Sequence, residues 1–317
     1  MTALGVDIGS ATMEAAVTTD RSALTLDVDH RTAVPATLAE EGGELHLAHP
    51  SEPVAVSDPM QALRTRTVAT PGGHRFTFPT ILAALLDPWT SQLPSQIGSA
   101  PHALVGVHPD WWPRSWRDLY RRALQQHAPS AETIPEVTAV AAGVDAHPGD
   151  TVAVWDFGKA HAAVTVLGRA GEGRGGTREV LDHAFTPDGG ASGVDGHLCH
   201  ALGWRVTPEA LHEATRLRQQ IATAGSNAEE VAVIGPSGPL TMTVREGIDM
   251  IALHIEQVVE AFRGRVEVRG AQHQIAVGGM SQDKGVQSAL RQYGHLNVLD
   301  NPASALARGA ALWGERR

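Results

Sequence analysis

Two short stretches of this sequence combine residue types suited to phosphate and metal chemistry. The first is Gly5-Val6-Asp7-Ile8-Gly9-Ser10-Ala11-Thr12, and the second is Asp156-Phe157-Gly158-Lys159-Ala160-His161. Each sets an aspartate at the end of an apolar run, with a glycine two residues later. A glycine turn lets main-chain N–H groups approach phosphate oxygens, and a carboxylate at a strand end suits a hard cation that keeps most of its waters. Taken alone, the first stretch reads equally well as an ordinary hairpin turn. Lys159, one of only two lysines, reads either as a point charge for a phosphate or as a solvated turn residue. His161 reads as a packing or hydrogen-bonding residue before it reads as a general base.

The elements that must position these residues repeat. Residues 4–8 form a buried strand pattern that enters the first turn, and residues 13–18 leave it as a second strand. Near the middle of the chain residues 152–155 and 162–167 do the same around the second turn. Two copies of strand, aspartate, glycine turn and strand amount to an internal duplication of architecture. Between them lie extended material at 23–34, a Pro-, Thr- and Gly-rich stretch at 35–100 with an apolar helical segment at 78–86, and a strand at 103–107. Residues 111–127 then carry apolar side chains at helical spacing, and residues 134–142 read as a short loop and a helix start. After the second copy come a glycine-rich turn feeding a helix (189–202) and a mixed segment (204–245). An amphipathic helix (248–262), a strand ending in Gly278-Gly279 with a following helix, and a closing helix (303–313) complete the pattern. In the last of these, alanines and Gly309 permit close packing.

Composition excludes several classes. A net charge of −10 over 317 residues gives no basic face for a nucleic-acid backbone. Cys199 is the only cysteine, so an internal disulfide or a cysteine metal cluster is ruled out, and it reads as a buried structural thiol. The sixteen histidines are scattered with no metal-ligand spacing on any one predicted element. The stripe Trp111, Trp112 and Trp116 reads as core before it reads as a partner surface. The first residues lack an export signature, and no apolar run reaches the ~18 residues of a membrane helix. The expectation is a soluble cytoplasmic protein.

In its order of motifs the chain resembles the nucleotide-binding domain of DnaK-type (heat shock protein 70) chaperones, within the actin-like ATPase superfamily. Asp7 to Thr12 resembles the first phosphate turn, and Asp156-Phe157-Gly158 the second. Pro135-Glu136-Val137-Thr138-Ala139 is similar to the family's Glu-Pro-Thr-Ala-Ala segment. Residues 189–198, with Gly190 and Asp195, resemble its glycine- and aspartate-rich turn, and Gly278-Gly279-Met280-Ser281 its adenosine loop. Residues 301–311 resemble the closing helix. The resemblance implies an α/β fold of two ribonuclease-H-like lobes with a central nucleotide cleft. Lobe I would span 1–148 and 301–317 with an insert at 35–100, and lobe II 149–300 with a shortened insert at 204–245.

It further implies ATP or ADP with Mg²⁺ as ligands. Asp7 and Asp156 would hold the metal through water, and Glu136 would stand near the attacking water. Nucleotide contacts would come from Gly9, Ser10, Ala11, Thr12, Gly158, Lys159, Gly190, Arg218, Gly278, Gly279 and Met280. Lobe closure would signal to a protein partner of unspecified identity, with neither nucleic acid nor membrane involved.

The sequence departs from that pattern where chemistry is concentrated. Ala163 stands at the place of the second aspartate of the second phosphate turn. Ala62-Leu63-Arg64 is the best match to the family's lysine segment, with leucine at the lysine itself. The clamp helix keeps only Arg216 and Arg218. The expected activity is therefore slow or degenerate ATP hydrolysis. The alternatives are a non-catalytic scaffold of the same fold, a small-metabolite kinase and a filament former.

Overall fold

The run Ala3–Ile8 is apolar on both faces, the pattern of a strand covered from both sides, and it forms β1 at the heart of a sheet. The computed structural model describes residues 2–9, 12–19, 22–27, 34–97, 101–143, 150–170, 178–263, 265, 270–299 and 301–316. Ser10 and Ala11 lie outside the described residues. By its contacts the chain divides into two units. Unit 1 holds Met1–Asp145, Ala170–Arg178 and Ala303–Arg317, and unit 2 holds Ala146–Arg169 and Glu179–Pro302. Both are mixed α/β.

In unit 1, β1 is followed by β2 (Thr12–Thr19), β3 (Ser22–Leu26) and β4 (Val34–Pro35). Two small hairpins, β5 (Leu38–Glu41) with β6 (Glu44–Leu47) and β7 (Thr67–Ala69) with β8 (Arg75–Thr77), flank helix α1 (Gln61–Thr65). Helix α2 (Phe78–Ile97), β9 (Ala103–His108), α3 (Arg114–Gln125), β10 (Glu132–Pro135) and α4 (Glu136–Gly143) follow. The sheet order is β10-β9-β1-β2-β3, with β4 also on β2. β1 runs antiparallel to β2 and parallel to β9, and β9 runs parallel to β10.

Two local expectations are corrected here. Residues 134–135 belong to a strand, because residues 132–135 pair with β9. The apolar helix does not stop at residue 86 but continues through Pro88, since Leu82, Leu85, Leu86 and Trp89 keep one face buried. Residues 38–89 share their buried cluster with the sheet: Leu38, Val56, Phe78 and Ile81 pack with Val6, Ile8 and Met13. The tryptophan stripe joins that cluster, with Trp112 edge-on to Trp116 and Tyr120.

Unit 2 begins with β11 (Val152–Phe157), β12 (Ala162–Ala170) and β13 (Arg178–Thr186). Helices α5 (Ala191–Ala201) and α6 (Pro208–Thr223) precede the hairpin β14 (Glu230–Gly235) and β15 (Gly238–Thr243). Helix α7 (Val244–Arg263), β16 (His273–Val277), α8 (Lys284–Arg291) and β17 (Leu296–Val298) complete it. Its sheet order is β13-β12-β11-β16-β17. β11 is antiparallel to β12 and parallel to β16, which is parallel to β17. Trp155, Phe157, Leu198, Leu217, Ile255 and Phe262 centre its core, and Cys199 is wholly buried there. With β4 set aside as lying off the main path, both units order their strands third, second, first, fourth, fifth.

The chain returns to unit 1 with α9 (Ala305–Glu315). This helix lies on β1 and α4 at backbone contact. A methyl group on Gly5 would sit 2.1 Å from the Ala307 carbonyl oxygen, and one on Gly309 would sit 2.0 Å from that of Ala139. Among the described residues, no helix is long and apolar enough to cross a membrane.

Candidate functional site

Each unit carries one of the two aspartate turns, and the hydrogen bonds that close them are equivalent. Gly9 N–H donates to the Thr12 carbonyl at 2.9 Å, and Gly158 N–H donates to the His161 carbonyl at 3.1 Å. Strand register repeats the likeness. Asp7 pairs with Glu14 on β2 and Val107 on β9, whereas Asp156 pairs with Ala163 on β12 and Val277 on β16. Directly paired residues point to one face of a sheet, so Glu14 stands beside Asp7 where Ala163 stands beside Asp156. Glu14 is buried while Asp7 is partly exposed.

In unit 1 the residues around Asp7 are polar yet enclosed. Glu136 is the first residue of α4 and is buried, and Val137 N–H donates to the Asp110 carboxylate at 3.2 Å. A carboxylate at that helix start suits the positive end of the helix dipole. His108, the residue after Val107, is buried, stacks on Trp112 and donates from Nδ1 to the Pro109 carbonyl. Burial holds its imidazole below the usual range, and Arg117 adds to this against the opposing pull of Pro109, Asp110 and Glu136. Burial, and then the Asp7 charge, push the Tyr120 phenol upward. Arg64 is exposed on α1, next to buried Ala62 and Leu63.

In unit 2 three elements converge on Asp156, which is buried. Gly278 has φ of +84°, and a methyl group there would lie 2.3 Å from Asp156 Oδ1. Only glycine fits both the left-handed backbone and that space. Met280 N–H donates to the Phe157 carbonyl at 3.1 Å, pinning the Gly278–Met280 turn to the end of β11. From the other side, Ala191 and Ser192 N–H groups at the start of α5 donate to the Gly158 and Lys159 carbonyls at 3.0 and 2.9 Å. Gly190 fills the junction, because a methyl group on it would meet three main-chain atoms of the 158–161 turn within 2.7 Å. Asp156, Gly158, Lys159, Gly190, Gly278 and Met280 are therefore held together. Lys159 is exposed, and Gly279 faces open space.

Arg218, on α6, pairs with Asp195 on α5. Its Nε donates to Asp195 Oδ1 at 2.8 Å, and Thr215 Oγ1 donates to Asp195 Oδ2 at 2.7 Å. Asp283 belongs to the same knot through its electrostatic coupling to Arg218 and Asp195. It caps α8 by accepting from Gly285 N–H at 2.8 Å, and the Val286 N–H also acts on its carboxylate. Burial raises its carboxyl above the ordinary range, against the lowering by Gly285 N–H, Arg218 and Val286 N–H, with Asp195 adding to the rise. Cys199, on α5 with Asp195, is likewise raised by burial and then by that carboxylate.

Glu14, His108, Tyr120 and Asp283 were not singled out from sequence. For Glu14 the signal was available: it lies seven residues after Asp7, as Ala163 does after Asp156.

The raised Asp283 carboxyl has a measurable consequence. The folded chain holds this proton more tightly than the unfolded chain, so the associated stability is complete below the ordinary aspartate range. It is lost as pH rises through the raised value. Asp283→Asn keeps an acceptor for Gly285 and removes the ionisation. At pH 7 the variant is expected to be more stable than the parent, because it removes the cost of ionising a buried carboxyl. Urea melts should show the gain shrinking toward pH 4, and a gain independent of pH would contradict the assignment.

No protein-family model and no curated protein matches the chain.

Proposed function

We propose that this chain is a nucleotide-binding protein of the actin-like ATPase plan, akin to the nucleotide-binding domain of DnaK-type chaperones, with each unit a ribonuclease-H-like lobe. Its ligands are ATP or ADP with Mg²⁺, and its hydrolysis is slow or degenerate. The observation that carries this reading is the double repeat. Two sheets share one strand order, and in each the aspartate of the first strand takes the same register before a glycine turn closed by the same main-chain bond.

The residues fit the ligand's chemistry. Asp7 and Asp156 offer carboxylate oxygens at strand ends, the donor type that Mg²⁺ accepts through its waters. Gly278 leaves space against Asp156 Oδ1 that any side chain would fill. Mg²⁺, when bound, would offset phosphate charge. On this reading Asp7 in unit 1 and Asp156 in unit 2 would each offer a carboxylate to the ion's waters, and each turn would present main-chain groups to phosphate oxygens. Glu136, at the start of α4, would accept a hydrogen bond from the attacking water. A protein partner would respond to the ligand state.

Two observations favour a non-catalytic variant of the same reading. Ala163 offers no carboxylate beside Asp156, and Arg64 is exposed beside buried Leu63. Calorimetry with MgADP and MgATP separates the forms. Micromolar binding is expected, weakened at least ten-fold by Asp7→Ala or Asp156→Ala. Binding without turnover above buffer selects the non-catalytic form. No heat at millimolar nucleotide removes the proposal.

A further inference from the structure

Three helices of unit 2 meet at one largely buried cation. Arg218 on α6 donates from Nε to Asp195 Oδ1 on α5 at 2.8 Å, and one of its terminal nitrogens lies 3.5 Å from Oδ2. Thr215, one turn earlier on α6, donates to the same carboxylate at 2.7 Å. Asp283, the N-cap of α8, is buried too and responds to both charges. Burial comes first in raising its carboxyl; of the two charges, Arg218 opposes the rise and Asp195 adds to it. Two buried carboxylates thus share one guanidinium. Like charges in such a place repel strongly, and a buried charge without its counter-charge is costly.

Each carboxylate stands on an element that holds one of the turns beside Asp156. Helix α5, which bears Asp195, donates from Ala191 and Ser192 N–H to the Gly158 and Lys159 carbonyls. Asp283 and α8 follow the Gly278–Met280 turn directly. Asp283 N–H donates to the Met280 carbonyl at 2.9 Å, and Ser281 Oγ donates to that of Gly278 at 2.8 Å. The guanidinium on α6 therefore links the supports of both turns. Without it, Asp195 and Asp283 would face each other uncompensated and drive α5 and the start of α8 apart.

We propose that Arg218 is a positioning residue: by balancing Asp195 and Asp283 it sets the spacing between the 158–161 and 278–281 turns, and through that spacing the affinity of unit 2 for nucleotide. The inference rests on the nucleotide reading for its ligand. The hold of Arg218 on the two turns, however, is measurable with no ligand present.

The test is amide hydrogen exchange on the full chain without ligand, read beside calorimetry with MgADP. In Arg218→Met the Ala191, Ser192, Met280 and Asp283 amides are expected to exchange roughly ten-fold faster or more, while residues 164–167 on β12 keep the parent rate. MgADP affinity should fall by roughly ten-fold or more. Arg218→Lys keeps the charge and should restore most of both losses. Adding Asp283→Asn to Arg218→Met removes one of the two repelling carboxylates and should do the same. Arg245→Met, which breaks an exposed pair with Asp249 on α7, should alter neither. If Arg218→Met does not fold, the double variant is expected to fold and to protect both turns, and a double variant that stays unfolded overturns the charge balance. Faster exchange throughout unit 2, or no rescue by the second substitution, would also overturn it. A parent that binds no MgADP while its turns respond as described removes the nucleotide reading alone. Turns that keep the parent rate in a chain that binds MgADP remove this inference alone.

Discussion

Gly309→Val is expected to prevent unit 1 from folding. Even a methyl group at this position would lie 2.0 Å from the Ala139 carbonyl oxygen, and the neighbouring contact on α4 is also glycine, Gly143. Neither helix has a long side chain that can swing aside, since the clash is with main chain. Relief requires α9 to lift from α4, which also lifts it from Gly5 and uncovers β1. Overpacking ordinarily costs about 1–3 kcal/mol, but forcing two helices apart belongs to the rare class above about 4 kcal/mol. The check is a chemical melt with limited proteolysis. Unit 1 should be cut at concentrations of protease that spare the parent, and a midpoint equal to the parent's would contradict the packing described.

Gly190→Val should have the second largest effect, on binding more than on folding. The residue has φ of −85°, which any amino acid adopts, so backbone strain is not the reason. A methyl group would instead meet the Gly158 oxygen at 2.6 Å and the Lys159 oxygen and His161 nitrogen at 2.7 Å. The valine must push the turn away from α5 and break the two hydrogen bonds from Ala191 and Ser192. Nucleotide affinity is expected to fall at least a hundred-fold, about 2.7 kcal/mol. Gly196→Ala is the control. It lies on the same helix with nothing within 4 Å, and replacing a helical glycine should add roughly 0.5–1 kcal/mol of stability. Equal affinities in the two variants would show that the turn is not the binding element.

What could be read from the sequence was what is local. An apolar run, an aspartate, a glycine and a second run specify a strand, a turn and a strand without help from elsewhere, and both copies were visible. The small residues of the closing helix likewise announced close packing. What escaped depends on register and on contacts between distant elements. Residues 132–135 become a strand only because β9 lies alongside. The pairing of Arg218 with Asp195 was not visible, because the two sit on different helices. The helical segment read at 78–86 runs on through Pro88, because its buried face continues from Leu82 to Trp89.

The seat of α9 against Gly5 has a bearing on how the molecule is made. The central strand of unit 1 is synthesised well before the helix that covers it, with unit 2 lying between them in the chain. Unit 2 comprises an inner stretch of the chain and can gather its core while synthesis continues. Unit 1 must wait with one side of β1 bare, a vulnerable interval in which a chaperone or a protease would meet it.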